Sequence, residues 1–271
     1  MEKRKVDVII FSGQSNMQGQ SERLSESATV ENAYEFKYLD RAFVPLKNPV
    51  GEDIRYDGHA GERFTNTSDQ GKWLSSHVLE SACYGHTNLV PSFARAYVEQ
   101  TQTALIAVHA AKGSTEIKDW LPETAGYKML VSKASAAIQK AKEEYCIDRI
   151  LFVWLQGESD AIAARAKEYY KDKLHLLADG LKEDLSIEHF GIIRVGAFTQ
   201  DGRDDKIIEA QDEICRETPF FSMLTDCALT LNKDDRMMNP YVKGHYSAQG
   251  LEYLGKVAGS ELGKKVCKDF L

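Results

Sequence analysis

A polar turn near the start of the chain carries the first side chain that could do chemistry. Ser15 lies in this turn, Phe11–Met17, which directly follows the apolar run Val6–Ile10. Open α/β sheets place ligands and reactive groups in loops at the carboxyl ends of buried strands, so Ser15 is a candidate nucleophile. The alternative is that its hydroxyl only caps the next helix. The turn alone leaves both interpretations open.

Three later loops carry polar groups that could complete such a site. Gly113 follows an apolar run that ends at His109, and a glycine lets the backbone approach a ligand closely. Gln156 and Glu158 follow the next apolar run, and His245 precedes the last amphipathic segment. Each loop also has a plain structural explanation, such as acidic residues favoured in the first turn of a helix. Together with the serine turn, however, they supply the hydroxyl, imidazole, carboxylate and N–H donors of an acyl-transfer site.

Five short segments predict the strands that must position these loops. They are apolar and rich in β-branched or aromatic residues, and they cover Val6 to Phe11, Ala104 to His109, Ile150 to Leu155, Phe190 to Val195 and Phe220 to Leu224. Amphipathic stretches between them predict helices over Pro91 to Gln100, Ala161 to Leu185 and Ser247 to Val266, the last with Ser247 as N-cap. This alternation predicts an α/β fold with a parallel sheet and helices on both faces. The functional loops should then share one edge.

Residues 31–89 interrupt this alternation. They contain little periodicity, several glycines and many polar residues. We interpret them as a long loop excursion that forms a wall on the substrate side, because long loops in compact domains usually serve binding. The alternative is a disordered insertion, which is disfavoured by the aromatic residues Tyr56, Phe64, Trp73 and Tyr84.

Composition limits the class of protein. With 271 residues and 43% hydrophobic content, the chain can bury a full core as a single domain over residues 1–271. The net charge is −7 and no run rich in Lys or Arg occurs, which argues against a nucleic-acid partner. The longest apolar stretches fall well short of the roughly 20 residues that cross a bilayer. We therefore expect no membrane partner.

Spacing of the ligand-type residues argues against cofactors. The five cysteines lack C-x-x-C spacing, and no histidine pair has the i, i+4 spacing of a helical zinc site, so we expect no metal. Phosphate-binding loops and the G-x-S-x-G elbow are also absent from the sequence. The apolar run near the start is broken by Asp7, unlike a signal peptide, which favours a cytoplasmic location.

Four blocks of the sequence together resemble a known superfamily. The blocks are Gly13-Gln14-Ser15-Asn16-Met17, then Lys112-Gly113-Ser114 with Trp120, then Gln156-Gly157-Glu158-Ser159-Asp160, then His245-Tyr246-Ser247 with Gly250. In order and spacing they resemble the SGNH/GDSL hydrolases. Within that superfamily they are most similar to the carbohydrate esterase and sialate O-acetylesterase-like branch, related to acetylxylan esterases. The resemblance implies a flavodoxin-like three-layer α/β/α fold and removal of O-acetyl groups from a sugar.

The resemblance also implies roles for individual residues. Ser15 would be the nucleophile and His245 the general base. The oxyanion donors would be the backbone N–H groups of Ser15 and Gly113 together with the side-chain amide of Gln156. Further residues of these blocks are expected to contact substrate, namely Gln14, Asn16 and Trp120.

One position departs from the superfamily pattern. An Asp usually stands three residues before the catalytic His, and that position is Val242 in this chain. Valine cannot accept the imidazole N–H, so another carboxylate would have to orient His245. We favour Glu158, which already lies in one of the four blocks. The other candidates are Asp160, Asp226, Asp234 and Asp235.

The expected function is that of a serine carbohydrate esterase acting on a small acetylated sugar or oligosaccharide through an acyl-enzyme. One alternative is a non-catalytic carbohydrate-binding protein, since the usual Asp is missing. A second is an esterase for a lipid or thioester acyl group. The polar and aromatic character of residues 31–89 suits sugar better than acyl chains.

Overall fold

The computed structural model describes residues 3–22, 27–52, 87–199 and 201–268. Strands of these residues form one sheet. In chain order they are β1 Lys5–Gly13, β2 Ala33–Lys37, β3 Ala42–Pro45, β4 Ala104–Ala111, β5 Cys146–Leu155, β6 His189–Ile193 and β7 Phe221–Thr225.

The sheet has the order β3-β2-β4-β1-β5-β6-β7. All neighbouring pairs are parallel except β2 and β3, which are antiparallel. The five strands predicted from the sequence are β1, β4, β5, β6 and β7. Numbered among themselves they lie in the order 2-1-3-4-5, which is the flavodoxin arrangement. The predicted α/β fold with a central, mostly parallel sheet is therefore confirmed.

Helices connect the strands and cover the sheet. They are α1 Ser15–Gln18, α2 Val90–Thr101, α3 Ala125–Glu144, α4 Glu158–Ile162, α5 Lys167–Leu185, α6 Asp204–Glu217, α7 Ala228–Leu231 and α8 Ala248–Lys268. Short 3₁₀ turns cover Ile117–Trp120 and Asp235–Met237. Helices α2 and α8 pack together, as do α3 and α5. In the described residues, no helix is both long and apolar enough to span a membrane.

The structure confirms Ser247 as the N-cap predicted for helix α8. The Ser247 hydroxyl accepts a hydrogen bond from the N–H of Gly250 at 3.2 Å, as an N-cap side chain does. A Cβ at Gly259 would collide with the carbonyl group of Phe93, so the bare glycine lets α8 approach α2 closely. This contact fixes the helix that follows the His245 loop.

The predicted helix over Ala161–Leu185 is wrong as a single element. The chain forms α4 and α5 with a break at Ala164, whose φ is +53°. Ile162, an apolar residue of α4, is 51% exposed. The hydrophobic spacing remains valid within α5, where Leu174, Leu177 and Leu181 are buried, together with Leu185 and Tyr170.

The segment 31–89 contains two strands that the sequence did not indicate. Both β2 and β3 are short, and the charged side chains of Glu35 and Lys37 interrupt the apolar pattern of β2. Glu35 is buried within β2, where it pairs with Lys37 at 2.8 Å. The four aromatic residues of this segment, Tyr56, Phe64, Trp73 and Tyr84, lie outside the described residues. Its expected role as a substrate wall stays a prediction.

The strand order brings three loops to one place. From β1 the chain continues to β2, β3 and β4 on one side and later to β5, β6 and β7 on the other. Gly13 at the end of β1 pairs with Ala111 of β4 and with Leu155 of β5, so these three strands end level with one another. Ligands bind at such a switch point in open α/β sheets.

Candidate active site

The turn after β1 presents Ser15 at the switch point of the sheet. Gly13 has a φ of +143°, and a Cβ there would collide with the carbonyl oxygen of Leu155. Helix α1 then begins at Ser15, with Gln14 in the N-cap position and Gly19 (φ +89°) ending the helix. Ser15 is therefore the first helical residue and does not occupy the N-cap position. This arrangement disfavours the interpretation of Ser15 as a simple cap.

The side chain of Asn16 joins the Ser15 turn to the His245 loop. Its Nδ2 lies 3.4 Å from the carbonyl oxygen of Gly244, and its Oδ1 accepts the N–H of Tyr246 at 3.3 Å. These two partners flank His245 in the sequence. The predicted nucleophile and base, nearly at opposite ends of the chain, are thus brought to the same part of the molecule.

The imidazole of His245 is set up to accept a proton. Its Nδ1 lies 3.1 Å from the carbonyl oxygen of Lys243. Because a carbonyl can only accept, Nδ1 carries the hydrogen and Nε2 is the basic nitrogen. Nε2 is buried and makes no hydrogen bond to the described residues. Burial lowers the pKa of His245, so the ring is neutral at neutral pH.

A tight turn holds the imidazole in place. Gly244 has a φ of +77°, and a Cβ there would collide with the ring of Phe198. The Phe198 ring packs edge-on against the His245 ring, with centroids 5.9 Å apart.

Glu158 does not take the position expected of a triad acid. Its Oε1 accepts the Asn16 Nδ2–H at 2.7 Å, and its Oε2 has no partner among the described residues. The acceptor for the imidazole is the Lys243 carbonyl instead. Val242, at the usual Asp position, is fully buried. Three other acids considered for this role bond elsewhere: Asp160, Asp226 and Asp234 pair with Gln156, Arg194 and Arg236.

Burial also affects the Glu158 carboxyl group. The side chain is 2% exposed, and desolvation raises its pKa. The bond from Asn16 opposes this shift, whereas the nearby carboxylates Asp204 and Asp160 add to it.

Gly113 lies beside Ser15, as expected of an oxyanion donor. A Cβ built on Gly113 would lie 3.4 Å from the Ser15 Cβ. The Gly113 N–H, however, donates to Oε1 of Gln18 at 2.7 Å. A side-chain amide oxygen therefore occupies the N–H that the resemblance predicts as an oxyanion donor.

Gln156 has a different role from the one expected. It is fully buried, and its Nε2 lies within hydrogen-bond distance of Asp160 Oδ2 (2.6 Å), the Thr115 carbonyl (3.0 Å) and Gln14 Oε1 (3.2 Å). These acceptors use both hydrogens of the amide. Gln156 thus ties together the loops after β1, β4 and β5 and has no N–H left for an oxyanion.

The three residues expected to contact substrate are placed in the interior. Gln14, Asn16 and Trp120 are each 2% exposed. The indole N–H of Trp120 donates to Thr115 Oγ1 at 2.9 Å, and its ring packs edge-on against Trp154 at 5.9 Å. Oε1 of Gln14 accepts from Gln156 and from the N–H of Ser159 at 3.2 Å. In this structure these side chains hold the loops in position, and their contact with substrate stays a prediction.

A cleft of about 320 Å³ opens next to Gly113. Hydroxyl, carboxylate and ammonium side chains lie along it, contributed by Ser114, Thr115, Thr124, Asp119 and Lys112. Within the part of the chain that the structure describes, no cluster of three or more His, Cys, Asp or Glu side chains could hold a metal ion.

Two functional groups escaped the sequence analysis. The Lys243 carbonyl is a backbone acceptor and has no signature in residue types. Gln18 lies in the same short helix as Ser15, one turn away from it, and this proximity was the only available signal.

Comparisons with known proteins agree on the family. A family model described as "Carbohydrate esterase, sialic acid-specific acetylesterase" matches residues 5–262. A probable carbohydrate esterase of Arabidopsis thaliana is 30% identical over 113 residues, which is 41% of this chain. The match spans 42% of that relative's length.

Solved structures show the same fold. A protein from Arabidopsis thaliana superimposes with a TM-score of 0.63 at 17% identity, over 97% of this chain and 98% of the other. NanS gives a TM-score of 0.68 at 12% identity, over 100% and 99% of the two chains. A lipase/acylhydrolase from Enterococcus faecalis gives 0.52 at 13% identity, over 97% and 96%. Since the family model covers almost the entire sequence, this chain belongs to the carbohydrate esterase family of sialic acid-specific acetylesterases.

Proposed function

We propose that this protein is a serine carbohydrate O-acetylesterase that forms an acetyl-enzyme at Ser15. One observation carries the proposal. Asn16, the residue after Ser15, bonds the backbone on both sides of His245, whose Nε2 is basic and makes no hydrogen bond to the described residues. This link holds the Ser15 turn and the neutral imidazole in the same part of the molecule, and Ser15 is activated when its Oγ comes within hydrogen-bond reach of Nε2.

The reaction proceeds in two steps. Ser15 Oγ attacks the acetyl carbonyl carbon while its proton passes to His245 Nε2. The tetrahedral intermediate collapses, the bond to the sugar oxygen breaks, and Nε2–H protonates that oxygen. Water then attacks the acetyl-serine ester and gives a proton to Nε2. The second tetrahedral intermediate collapses, the bond to Ser15 Oγ breaks, and Nε2–H protonates Oγ as acetate leaves.

The oxyanion is stabilised by backbone N–H groups. Ser15 and Gly113 are the two donors, and they follow the adjacent strands β1 and β4. The substrate carbonyl takes the place of Gln18 Oε1 on the Gly113 N–H. Gln18 must therefore move before the second donor is available.

The catalytic unit is a dyad oriented by the backbone. The Lys243 carbonyl accepts the His245 Nδ1–H, which is the task of the carboxylate in a triad. A neutral acceptor fixes the tautomer but stabilises the imidazolium less than a carboxylate does.

The cleft beside Gly113 offers hydrogen-bond partners to a sugar. Its hydroxyl and charged side chains can bond to sugar hydroxyl groups. The family description, which names a sialic acid-specific acetylesterase, supports an acetylated sugar as substrate.

The proposal is tested with p-nitrophenyl acetate and a fluorophosphonate probe. The wild type should hydrolyse the ester and be labelled, and Ser15→Ala should lose both signals. Ser12→Ala is the matched control, because Ser12 is also buried, lies on β1, and its hydroxyl donates to the Ala110 carbonyl at 2.8 Å. A wild type without either signal would refute the proposal.

A panel of acetylated sugars then identifies the substrate class. O-acetylated sialic acid and acetylated xylo-oligosaccharides should release acetate faster than long-chain acyl esters. Sugar binding without acetate release would indicate a carbohydrate-binding protein instead. A preference for long acyl chains would indicate the lipid or thioester alternative.

A further inference from the structure

A buried polar link connects Glu158 to the loop that carries His245. Glu158 Oε1 accepts the Asn16 Nδ2–H at 2.7 Å, the shortest of these three hydrogen bonds of the Asn16 side chain. Asn16 in turn contacts Gly244 and Tyr246. The Glu158 carboxylate makes no hydrogen bond to the His245 ring in the described structure.

The chemistry of Glu158 fixes the orientation of the Asn16 amide. An amide end can face either way, but a carboxylate oxygen only accepts, so Nδ2 must face Glu158. This orientation leaves Oδ1 towards the N–H of Tyr246. If the amide were reversed, Oδ1 would meet a carboxylate oxygen and Nδ2 would meet an N–H. Both contacts would then be lost.

Burial makes this orientation matter. Asn16 and Glu158 are each 2% exposed, and His245 and Tyr246 are 5% and 3% exposed. Water cannot replace a lost hydrogen bond at such sites without entering the interior. The Asn16 amide therefore sets the distance between the Ser15 turn and the His245 loop.

We propose that Glu158 is a positioning residue that acts on His245 through Asn16, and that it is not the acid partner of the imidazole. The proposal rests on the proposed function of Ser15 and His245. It assigns one role to two buried side chains, neither of which touches the reacting atoms.

The first test compares single variants by kcat and KM. In Glu158→Gln the amide oxygen can still accept from Asn16, so kcat should fall by no more than about tenfold, against the roughly 10⁴ expected for a triad acid. In Asn16→Asp two carboxylates meet, and kcat should fall by about 100-fold or more with KM little changed, within the range of couplings between buried neighbours. Asp226→Asn is the control, because Asp226 is 70% exposed and pairs with Arg194, outside this link.

The second test reverses the polarity of the link. In the double variant that combines Asn16→Asp with Glu158→Gln, the new amide can donate to the new carboxylate, which can still accept the N–H of Tyr246. The double variant should recover kcat by at least about tenfold over Asn16→Asp alone. A recovery of melting temperature without a recovery of kcat would reduce Glu158 to a purely structural role and overturn the proposal.

The pH dependence of the Asn16→Asp variant gives a readout that folding alone would not move. A proton shared by the two adjacent carboxylates restores a donor between them, so kcat of this variant should rise on the acid side relative to wild type. Among the described residues, the other ionisable groups that interact with Glu158 are Asp160, Asp204, Tyr170 and Tyr246. A constant ratio of the two rates across pH would contradict the proposed contact.

A measurement without turnover separates this proposal from the proposed function. In the Ser15→Ala background, NMR titration of His245 should give the same pKa with and without the additional substitution Glu158→Gln, because the Lys243 carbonyl is the ring's partner. A clear decrease in this pKa on adding Glu158→Gln would show direct contact with the carboxylate and overturn the proposal. An inactive wild type with an unchanged titration would refute the esterase function while leaving the link intact.

Discussion

The Nδ1 atom of His245 lies 3.1 Å from the carbonyl oxygen of Lys243, two residues earlier in the chain. This contact supplies the acceptor that Val242 cannot provide. A backbone carbonyl does not titrate, so the imidazole keeps the same tautomer over the working pH range.

The pH profile of activity should reflect the lowered pKa of His245. Burial lowers the pKa of His245 from its ordinary value of 6.5, and catalysis requires the neutral ring. The acid limb of kcat/KM should therefore lie below pH 6.5, since activity is lost only as the pH falls through the lowered pKa. The acid limb of kcat/KM is measured with a simple acetate ester. If it lay above pH 6.5, a carboxylate would be stabilising the imidazolium.

Removal of the Gln18 side chain should increase activity. In Gln18→Ala the Gly113 N–H has no Gln18 Oε1 to donate to, so the substrate carbonyl does not have to displace that oxygen. A hydrogen bond of about 0.5–1.5 kcal/mol corresponds to an increase of about two- to tenfold in kcat/KM. Gln20→Ala is the control, because it removes only the weaker 3.3 Å donor to Oε1. A decrease in kcat/KM for Gln18→Ala would mean that Gln18 shapes the site and does not block it.

Gly244→Ala should damage both stability and catalysis. The positive φ of +77° costs about 1–2 kcal/mol for a non-glycine residue, and the new Cβ would also collide with Phe198. Because this collision displaces the His245 loop, kcat should fall as well. Gly202→Ala is a matched control: its φ is +83°, and the nearest atom to a Cβ lies 3.4 Å away. It should lose stability only. Equal effects of the two variants on kcat would contradict this prediction.

Trp120→Phe should lower stability and leave KM within about twofold of wild type. The substitution removes the indole N–H bond to Thr115 and part of the packing against Trp154, and it should lower the free energy of unfolding by about 1–3 kcal/mol. Urea denaturation and steady-state kinetics on an acetylated sugar measure the two effects. A large increase in KM at unchanged stability would indicate that Trp120 binds substrate.

Asp160 should make stability fall as the pH rises. Burial raises the pKa of this carboxyl from 3.8 to about 6, so the folded state binds more protons than the unfolded state between these values. The free energy of unfolding should decrease by up to about 3 kcal/mol from about pH 4 to about pH 6 and change little above that range. Asp160→Asn keeps an acceptor for Gln156 and should remove this component. If the free energy of unfolding of Asp160→Asn kept the same dependence on pH as the wild type, this prediction would be refuted.

The strands and the reactive residue types could be read from the sequence. Largely apolar runs predicted β1, β4, β5, β6 and β7, because strands buried on both faces carry mostly apolar residues along their length. Such patterns are local. The same reasoning missed β2, where the buried Glu35 interrupts the pattern, and it merged α4 with α5, since a break at Ala164 leaves the spacing of apolar residues almost intact.

The sequence by itself determined the strands β1, β4, β5, β6 and β7, the strand-end position of the Ser15 turn and the set of groups available for acyl transfer. Only the tertiary structure decided which groups meet. It gave His245 a backbone acceptor, directed Glu158 to Asn16, and placed Gln156 and Trp120 in the interior. The physical reason is that these partners come from loops far apart in the chain. Their hydrogen bonds depend on where the strands end relative to one another, and a backbone carbonyl leaves no trace in the order of residue types.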